Sequence, residues 1–213
     1  MRRPAYKIIF ALLLVCLASC KKDDYHYPDL LTDMVEVDTD GNGIFRILRT
    51  DDKTEYLIQD NIGFEDTRPD TTYRVRCRFS IESKETVALY GIKLIASPHP
   101  ELESYFKSGV KKDPVKLISI WESGDYINLH IGIMTKDEYA HKVHFVKSET
   151  HPTKSGHQRV DLLLFHNQGD DFEAYTQEAF LSCPLSTLEL EEGDSVYFSL
   201  QTYDGLKTFG FEK

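Results

Sequence analysis

The feature that most constrains the fold is an alternation of apolar and polar residues that recurs along most of the chain. In residues 126–133, for example, Ile127, Leu129, Ile131 and Ile133 alternate with more polar neighbours. Successive side chains of a strand point to opposite faces, so this period is typical of half-buried β-strands. The chain shows no sustained helical period, internal repeat or low-complexity tract. The sequence therefore predicts an all-β protein.

The first half contains short alternating stretches separated by turns rich in Gly, Asp and Asn. They cover residues 34–37, 44–48, 55–59, 73–81 and 86–95. Five short strands with tight turns favour a small closed barrel or meander. Pro98-His99-Pro100 ends this pattern, and Pro100 opens a stretch to Phe106 that predicts one or two helical turns. We predict an OB-like β-barrel domain over residues 34–107.

The second half repeats the pattern with longer strands after a linker at 108–113. The predicted strands cover 115–121, 126–133, 141–147, 159–166, a short piece around 180–181, 196–203 and 206–211, with one helical turn within 184–190. Asp204-Gly205 between two alternating stretches is a strong hairpin signature. Antiparallel strands of this number and length predict a β-sandwich domain over residues 114–213.

The N-terminus has the composition of a secretory signal. Arg2, Arg3 and Lys7 precede an apolar run at 8–17 that is too short to span a bilayer. Leu17-Ala18-Ser19-Cys20 resembles a bacterial lipobox, in which the cysteine is lipidated and becomes the first mature residue. We predict a signal peptide at 1–19, lipidation at Cys20 and a polar tether at 20–33. The alternative is a plain signal peptide with an incidental cysteine.

The residues after the cysteine bear on location. Lys21-Lys22-Asp23-Asp24 resembles the lysine-plus-acid export signal of Bacteroidetes surface lipoproteins, which predicts an outer-membrane anchor facing the cell exterior. A soluble linker is the alternative. The formal net charge of −10 argues against nucleic-acid partners and against electrostatic adhesion to anionic lipid. Contact with the membrane would therefore depend on the lipid at Cys20.

The order of these elements resembles a known family. A lipobox and an OB-like half are followed by Asp113-Pro114-Val115 leading to Trp121, by Tyr126-Ile127-Asn128-Leu129, and by a sandwich that ends with residues 205–211. This arrangement resembles the NigD-like lipoproteins. The resemblance implies an N-terminal OB domain and a C-terminal β-sandwich, and it implies no specific molecular activity.

Three arginines give one candidate binding site. Arg74, Arg76 and Arg78 alternate with apolar residues, so their guanidinium groups share one face of a strand. Such a row on an open barrel face fits an anion such as phosphate or a uronic carboxylate. The alternative is cross-strand pairing with acidic residues such as Glu36 or Asp38.

Aromatic residues give a second candidate. The tyrosines that we consider for an aromatic binding face are Tyr126, Tyr139, Tyr175 and Tyr203. Trp121, the single tryptophan, is expected to be a structural anchor in the sandwich or between the domains, over Ile127, Leu129, Ile131, Phe209 and Phe211.

Metal and cofactor signatures are weak. Asp38-x-Asp40-x-Asn42-Gly43 matches the start of a calcium loop, but the twelfth position is Arg49 rather than a carboxylate, and a tight turn explains the same residues. The histidines lie on separate predicted strands or loops without metal-specific spacing. We therefore predict no cofactor.

Cys77 and Cys183 are the two cysteines left after Cys16 is removed and Cys20 is lipidated. An exported location permits a disulfide between them. Cys77 lies on the apolar side of an alternating strand, so we interpret it as a buried free thiol.

No nucleophile, phosphate-loop or metalloprotease motif is present, so we predict no enzyme activity. The sequence favours a surface-anchored module that binds an unknown surface protein or glycan. The alternative is a glycan-active hydrolase using two carboxylates brought together by the fold.

Overall fold

The computed structural model describes residues 29–60, 62–64, 66–136 and 141–213. The predicted signal peptide and Cys20 lie outside these residues. Within them the protein is built almost entirely of strands, which confirms the predicted all-β class. No helix in this part of the chain is long and apolar enough to cross a membrane.

The first five strands close into a barrel. They are β1 (Leu31–Thr39), β2 (Phe45–Arg49), β3 (Glu55–Ile58), β4 (Thr72–Ile81) and β5 (Thr86–Leu94). The strand order around the barrel is β1-β2-β3-β5-β4, with β3 and β5 parallel and the other pairs antiparallel. This is the connectivity of a five-stranded OB barrel, as predicted.

The inward residues of the alternating pattern form the barrel core. Val35, Val37, Val75 and Phe79 are all buried there. The segment between β3 and β4 packs Phe64 against this core, edge-on to Phe45 at 5.5 Å between ring centroids. Each fully buried side chain of this size contributes about 1.5–3 kcal/mol through the water it excludes.

The remaining strands form two sheets packed face to face. They are β6 (Glu101–Leu102), β7 (Lys116–Ser123), β8 (Tyr126–Thr135), β9 (Lys142–Pro152), β10 (Gln158–Asn167), β11 (Tyr175–Pro184), β12 (Ser195–Thr202) and β13 (Gly205–Glu212). One sheet has the order β13-β12-β10-β9-β6, and the other has the order β11-β8-β7. Their facing side chains, including Phe145 and Phe198, make a second core.

Two details differ from a purely antiparallel sandwich. β10 and β12 run parallel, because the chain leaves the larger sheet after β10, forms β11 in the smaller sheet and then returns. β6 also pairs in parallel with β9. The predicted helical turns at 100–106 reduce to β6 and a short 3-10 helix at Glu103–Tyr105.

The structure also places two boundaries differently from the sequence analysis. The predicted tether extends to residue 33, but β1 already starts at Leu31, which is opposite Phe79 of β4. The predicted barrel domain extends to residue 107, but the barrel strands end at Leu94. Glu101–Leu102 pairs with β9, so the segment after Leu94 is hydrogen-bonded to the sandwich.

The expected position of Trp121 over the sandwich core is wrong, whereas the alternative, a position between the domains, is not contradicted. A bulge between Leu117 and Ser119 shifts the alternation of β7, so that Ile120, opposite Leu129, packs against the sandwich core. Trp121 is opposite Asn128 and is only partly buried, on the other face of the sheet.

Both remaining cysteines are free and buried, in different cores. Cys77 lies in the barrel and Cys183 in the sandwich. Burial raises the pKa of Cys77 to about 12, and burial also raises the pKa of Cys183. Both thiols are therefore protonated side chains that fill apolar space.

Candidate functional site

A buried ion pair marks the place where the barrel meets the sandwich. The side chain of Arg74 is 2% exposed, and its two Nη atoms bind the Asp51 carboxylate at 2.5 and 2.9 Å. Its Nε donates to the Ser182 hydroxyl at 3.0 Å, and its guanidinium carbon lies 3.9 Å from the centroid of the Tyr126 ring. Since Ser182 and Tyr126 belong to the sandwich, Arg74 contacts both domains.

A second polar link lies beside it. The Tyr126 hydroxyl donates to Glu36 at 2.5 Å, and Arg49 donates to the other oxygen of Glu36 at 2.7 Å. Burial alone would raise the pKa of Glu36, but these two hydrogen bonds, together with the charges of Arg49 and Lys53, outweigh it and lower that pKa. Burial, together with the hydrogen bond to Glu36, raises the pKa of Tyr126. Glu36 is therefore ionised and Tyr126 is its neutral donor.

The backbones also approach closely at this interface. Gly124, in the β7–β8 turn, has a φ of +56°, and a Cβ there would lie 2.5 Å from the backbone oxygen of Asp51. Only glycine allows both the left-handed conformation and this approach. Next to it, Lys53 of the barrel donates to Asp125 at 2.5 Å.

Beyond this interface the domains diverge and leave a cleft of about 570 Å³. The barrel wall is formed by β4 and by the end of β5, including Arg76, Lys93 and Leu94. The sandwich wall is formed by β8, β9 and β11, and it includes Ile133 and Phe180. A cleft of this volume, with apolar walls and a few polar groups, is typical of a binding site.

The charged groups of the cleft are unevenly distributed. Arg76 and Lys93 lie directly opposite each other in the β4–β5 register. The guanidinium carbon of Arg76 lies 4.7 Å from the centroid of the Phe180 ring. Among the described lining residues the one carboxylate is Glu178, and it hydrogen-bonds His130 at 2.9 Å. The cleft therefore presents two neighbouring cations beside one partnered acid.

A buried hydrogen-bonded chain lies behind one end of the cleft. His141 lines the cleft, and its Nδ1 is 2.8 Å from Nε2 of His166. Nδ1 of His166 is 2.9 Å from the backbone oxygen of Asp113. At the other end Nε2 of His141 is 3.1 Å from Oδ2 of Asp171, which also accepts from the Thr135 hydroxyl at 2.5 Å.

The acceptors in this chain determine where its protons lie. The Asp113 carbonyl can only accept, so Nδ1 of His166 carries a proton. Burial lowers the pKa of His166, so this ring is neutral and its Nε2 accepts from His141. His141 therefore carries a proton on Nδ1, which it donates to His166. Oδ2 of Asp171 accepts from the Thr135 hydroxyl and from the backbone N–H of Lys136, beside Nε2 of His141.

The structure separates the three arginines of the candidate anion site. Arg74 is bound to Asp51 at the domain interface, so an acid of the protein occupies its guanidinium group. Arg76 lines the cleft, and Arg78 is exposed further along β4. The acids suggested for cross-strand pairing, Glu36 and Asp38, bind Arg49 instead.

The four candidate tyrosines do not form one face in the described structure. Tyr126 lies at the domain interface, and Tyr139 lies outside the described residues. Tyr175 and Tyr203 are exposed. Tyr203 donates to Glu173, in the segment before β11, and Tyr175 donates to the backbone oxygen of Lys136, directly after β8.

The turn that resembles a calcium loop is explained by its own hydrogen bonds. Oδ1 of Asp40 accepts from the backbone N–H groups of Asn42 and Ile44, and Oδ2 accepts from Arg46. The described residues contain no cluster of three or more His, Cys, Asp or Glu side chains that could hold a metal ion.

Sequence reasoning missed the pairing of His141 with His166. These residues are 25 positions apart, and their approach depends on the pairing of β9 with β10, where Lys142 lies opposite Asn167. In this antiparallel register Val143 lies opposite His166, so His141, two residues before Val143, is a diagonal neighbour of His166 on the same face. The register was the signal that could have identified the pair.

The barrel, the sandwich and the cleft between them define a class: two-domain β proteins with an OB-like N-terminal half. The sandwich identifies the family. Residues 97–212 match the model of the NigD-like C-terminal beta sandwich domain, and the chain belongs to the NigD-like family. The resemblance deduced from the sequence is thus confirmed.

Solved structures with this fold come from species of Bacteroides and Parabacteroides. A NigD-like immunity protein from Bacteroides caccae ATCC 43185 is 23% identical, with a TM-score of 0.66 over 89% of this chain and 95% of that chain. A toxin-related protein from Parabacteroides distasonis ATCC 8503 is 18% identical, with a TM-score of 0.68 over 87% and 93%. A protein described as a lipoprotein, from Bacteroides fragilis NCTC 9343, is 14% identical, with a TM-score of 0.62 over 87% and 98%. A comparison with curated protein sequences gave no match.

Proposed function

We propose that the protein is an outer-membrane lipoprotein, anchored through Cys20 and exposed on the cell surface, and that it binds a partner in the cleft between its domains. The observation that carries the binding role is the cleft itself. It combines apolar walls with two unpaired cations, Arg76 and Lys93, for which no acidic partner is found among the described residues. A filled interface would have left no such space.

The geometry gives less support to hydrolysis. Paired-carboxylate glycosidases need two carboxyl groups facing the same bond. The described lining of the cleft contains one, Glu178, and its oxygen is hydrogen-bonded to His130. The cleft therefore favours binding over the hydrolase alternative.

The anchor is supported by the lipobox-like sequence and by the described lipoprotein nature of the Bacteroides fragilis neighbour. An immunity role, as the name of the Bacteroides caccae protein indicates for that protein, would also require a binding surface. The lipid on Cys20 would hold the cleft near the membrane surface, where it can meet a surface protein or glycan.

Two measurements test this proposal. Cys20→Ala should move the protein from the detergent phase to the aqueous phase, because the thioether to the lipid cannot form. Retention in the detergent phase would contradict the anchor.

The second measurement is affinity capture from native outer membranes with the lipidated protein. The double variant Arg76→Glu/Lys93→Glu should lose partners that the wild type retains. Lys84→Glu is the matched control, since it reverses a charge in the exposed β4–β5 turn away from the cleft. Identical capture by all three proteins would contradict a binding role for the cleft.

A further inference from the structure

One side of β11 is an open strand edge. The strand pairs with β8 over its whole length on one side. On its other side the described residues make one backbone contact, an isolated parallel bridge between Leu181 and Ala96, in which the Ser182 N–H donates to the Ala96 oxygen at 3.0 Å. From Tyr175 to Phe180 no described strand pairs with this side.

The open edge faces the cleft. Backbone groups alternate in direction along a strand, so the side on which the Ser182 N–H points also carries the N–H groups of Phe180 and Glu178. The lining of the cleft includes the consecutive residues 177–181 of β11 and 93–96 of the chain leaving the barrel. These two segments meet at the Ala96–Leu181 bridge and diverge from it, so the cleft is a wedge with a strand edge along one wall.

The side chains on the two faces of this edge differ in character. Toward the barrel, Phe180 lies under the guanidinium group of Arg76, and Lys93 is opposite Arg76 in the neighbouring strand. Toward the interior of the sandwich, the cleft is lined by Ala179 of β11, Ile133 of β8 and Val143 of β9. A chain added to the edge of β11 would thus direct alternate side chains toward cations and toward apolar groups.

We propose that the cleft binds an extended segment of a partner protein as an added strand on β11, with acidic and apolar side chains alternating along it. Backbone hydrogen bonds to the edge would supply affinity, and the two faces would supply selectivity. Acidic residues fit the barrel side because Arg76 and Lys93 place like charges side by side, an arrangement that an anionic partner relieves. With Glu178 included, the sum of the charges of Arg76, Lys93 and Glu178 remains positive. This inference rests on the proposed binding role of the cleft and specifies its ligand.

The test uses the full-length protein and a short fluorescein-labelled peptide in which glutamate and valine alternate. Fluorescence anisotropy should show saturable binding. Two further peptides of the same sequence are N-methylated at every glutamate in one and at every valine in the other. One of them should lose binding, because its methyl groups replace the N–H donors that face β11, and the other should keep it, because its methyl groups point away from the edge. A peptide alternating lysine and valine should bind at least about tenfold more weakly, as expected for reversed charge at an interface.

Protein variants complete the design. Arg76→Glu/Lys93→Glu should weaken binding of the glutamate peptide by about tenfold or more and should reduce its salt dependence, while Lys84→Glu should bind as the wild type does. No saturable binding up to millimolar peptide, or undiminished binding of both N-methylated peptides, would overturn the added strand. Equal binding of the lysine peptide would overturn the acidic preference.

An acidic glycan is the competing ligand. If an oligogalacturonate binds with the same dependence on Arg76 and Lys93 while the glutamate peptide does not bind, the cleft is a glycan site and the peptide inference is wrong. That result would leave the proposed binding function intact. Unchanged membrane capture by the cleft variants would instead contradict the proposed function itself.

Discussion

Replacing Arg74 should destabilise the protein strongly. Arg74→Met leaves the Asp51 carboxylate, whose side chain is 12% exposed, without its bidentate partner at the domain interface. Removing one member of a buried ion pair costs about 3–5 kcal/mol, because the remaining charge is desolvated and unpaired. For a folded unit of this size each kcal/mol lowers the melting temperature by about 2–4 °C, so the melting temperature should fall by roughly 6–20 °C.

The chain contains a matched control. Arg159 also binds an aspartate through two nitrogens, at 2.7 and 3.0 Å to Asp161, and it lies 4.1 Å from the centroid of a tyrosine ring, that of Tyr197. The side chain of Arg159 is 40% exposed, however, whereas that of Arg74 is 2% exposed. Arg159→Met should therefore melt close to the wild type, since exposed pairs contribute little.

Urea unfolding followed by tryptophan fluorescence, together with scanning calorimetry, measures both effects. The double variant Arg74→Met/Asp51→Leu should recover much of the lost stability, because an apolar pair leaves no buried charge. If Arg74→Met is no less stable than Arg159→Met, burial does not control the strength of this pair and the argument fails.

Two further predictions concern titrating groups. Burial lowers the pKa of His166 from 6.5, so the unfolded chain binds a proton at this residue more readily than the native protein does. The free energy of unfolding should therefore fall as the pH drops below about 6.5, with a slope of up to about 1.4 kcal/mol per pH unit. This slope should be smaller in His166→Gln. Parallel stability curves for the two proteins would contradict this assignment. Cys77 and Cys183, whose pKa values burial raises, should resist a thiol reagent in the native protein and should both react in denaturant, and rapid native labelling of either would contradict their burial.

The barrel strands could be predicted well from the sequence because each has one buried and one solvated face. β4 is an example, with Val75, Cys77 and Phe79 inward and Arg76 and Arg78 outward. β11 was predicted only around residues 180–181, although it extends from Tyr175 to Pro184. Its first half reads Tyr-Thr-Gln-Glu-Ala and has no apolar alternation, so its strand conformation depends on pairing with β8.

The contents of the candidate site were harder to predict. The partner of Arg74 lies 23 positions away in a turn, and Ser182 lies 108 positions away in the other domain. Such contacts follow from how two finished domains dock, which a strand pattern does not encode. Trp121 shows the same limit on a smaller scale, because a single bulge in β7 exchanged its face with that of Ile120.

The interface also has a consequence for the order in which the protein folds. Arg74 and Asp51 both belong to the barrel, which is synthesised first, so their ion pair can form before the sandwich exists. Docking of Ser182 and Tyr126 must then remove water from a pair that is already made, which is a costly step. β11, which carries Ser182, also requires pairing across long stretches of chain, and such contacts form slowly. We therefore expect the joining of the two domains to be the last and slowest event in folding.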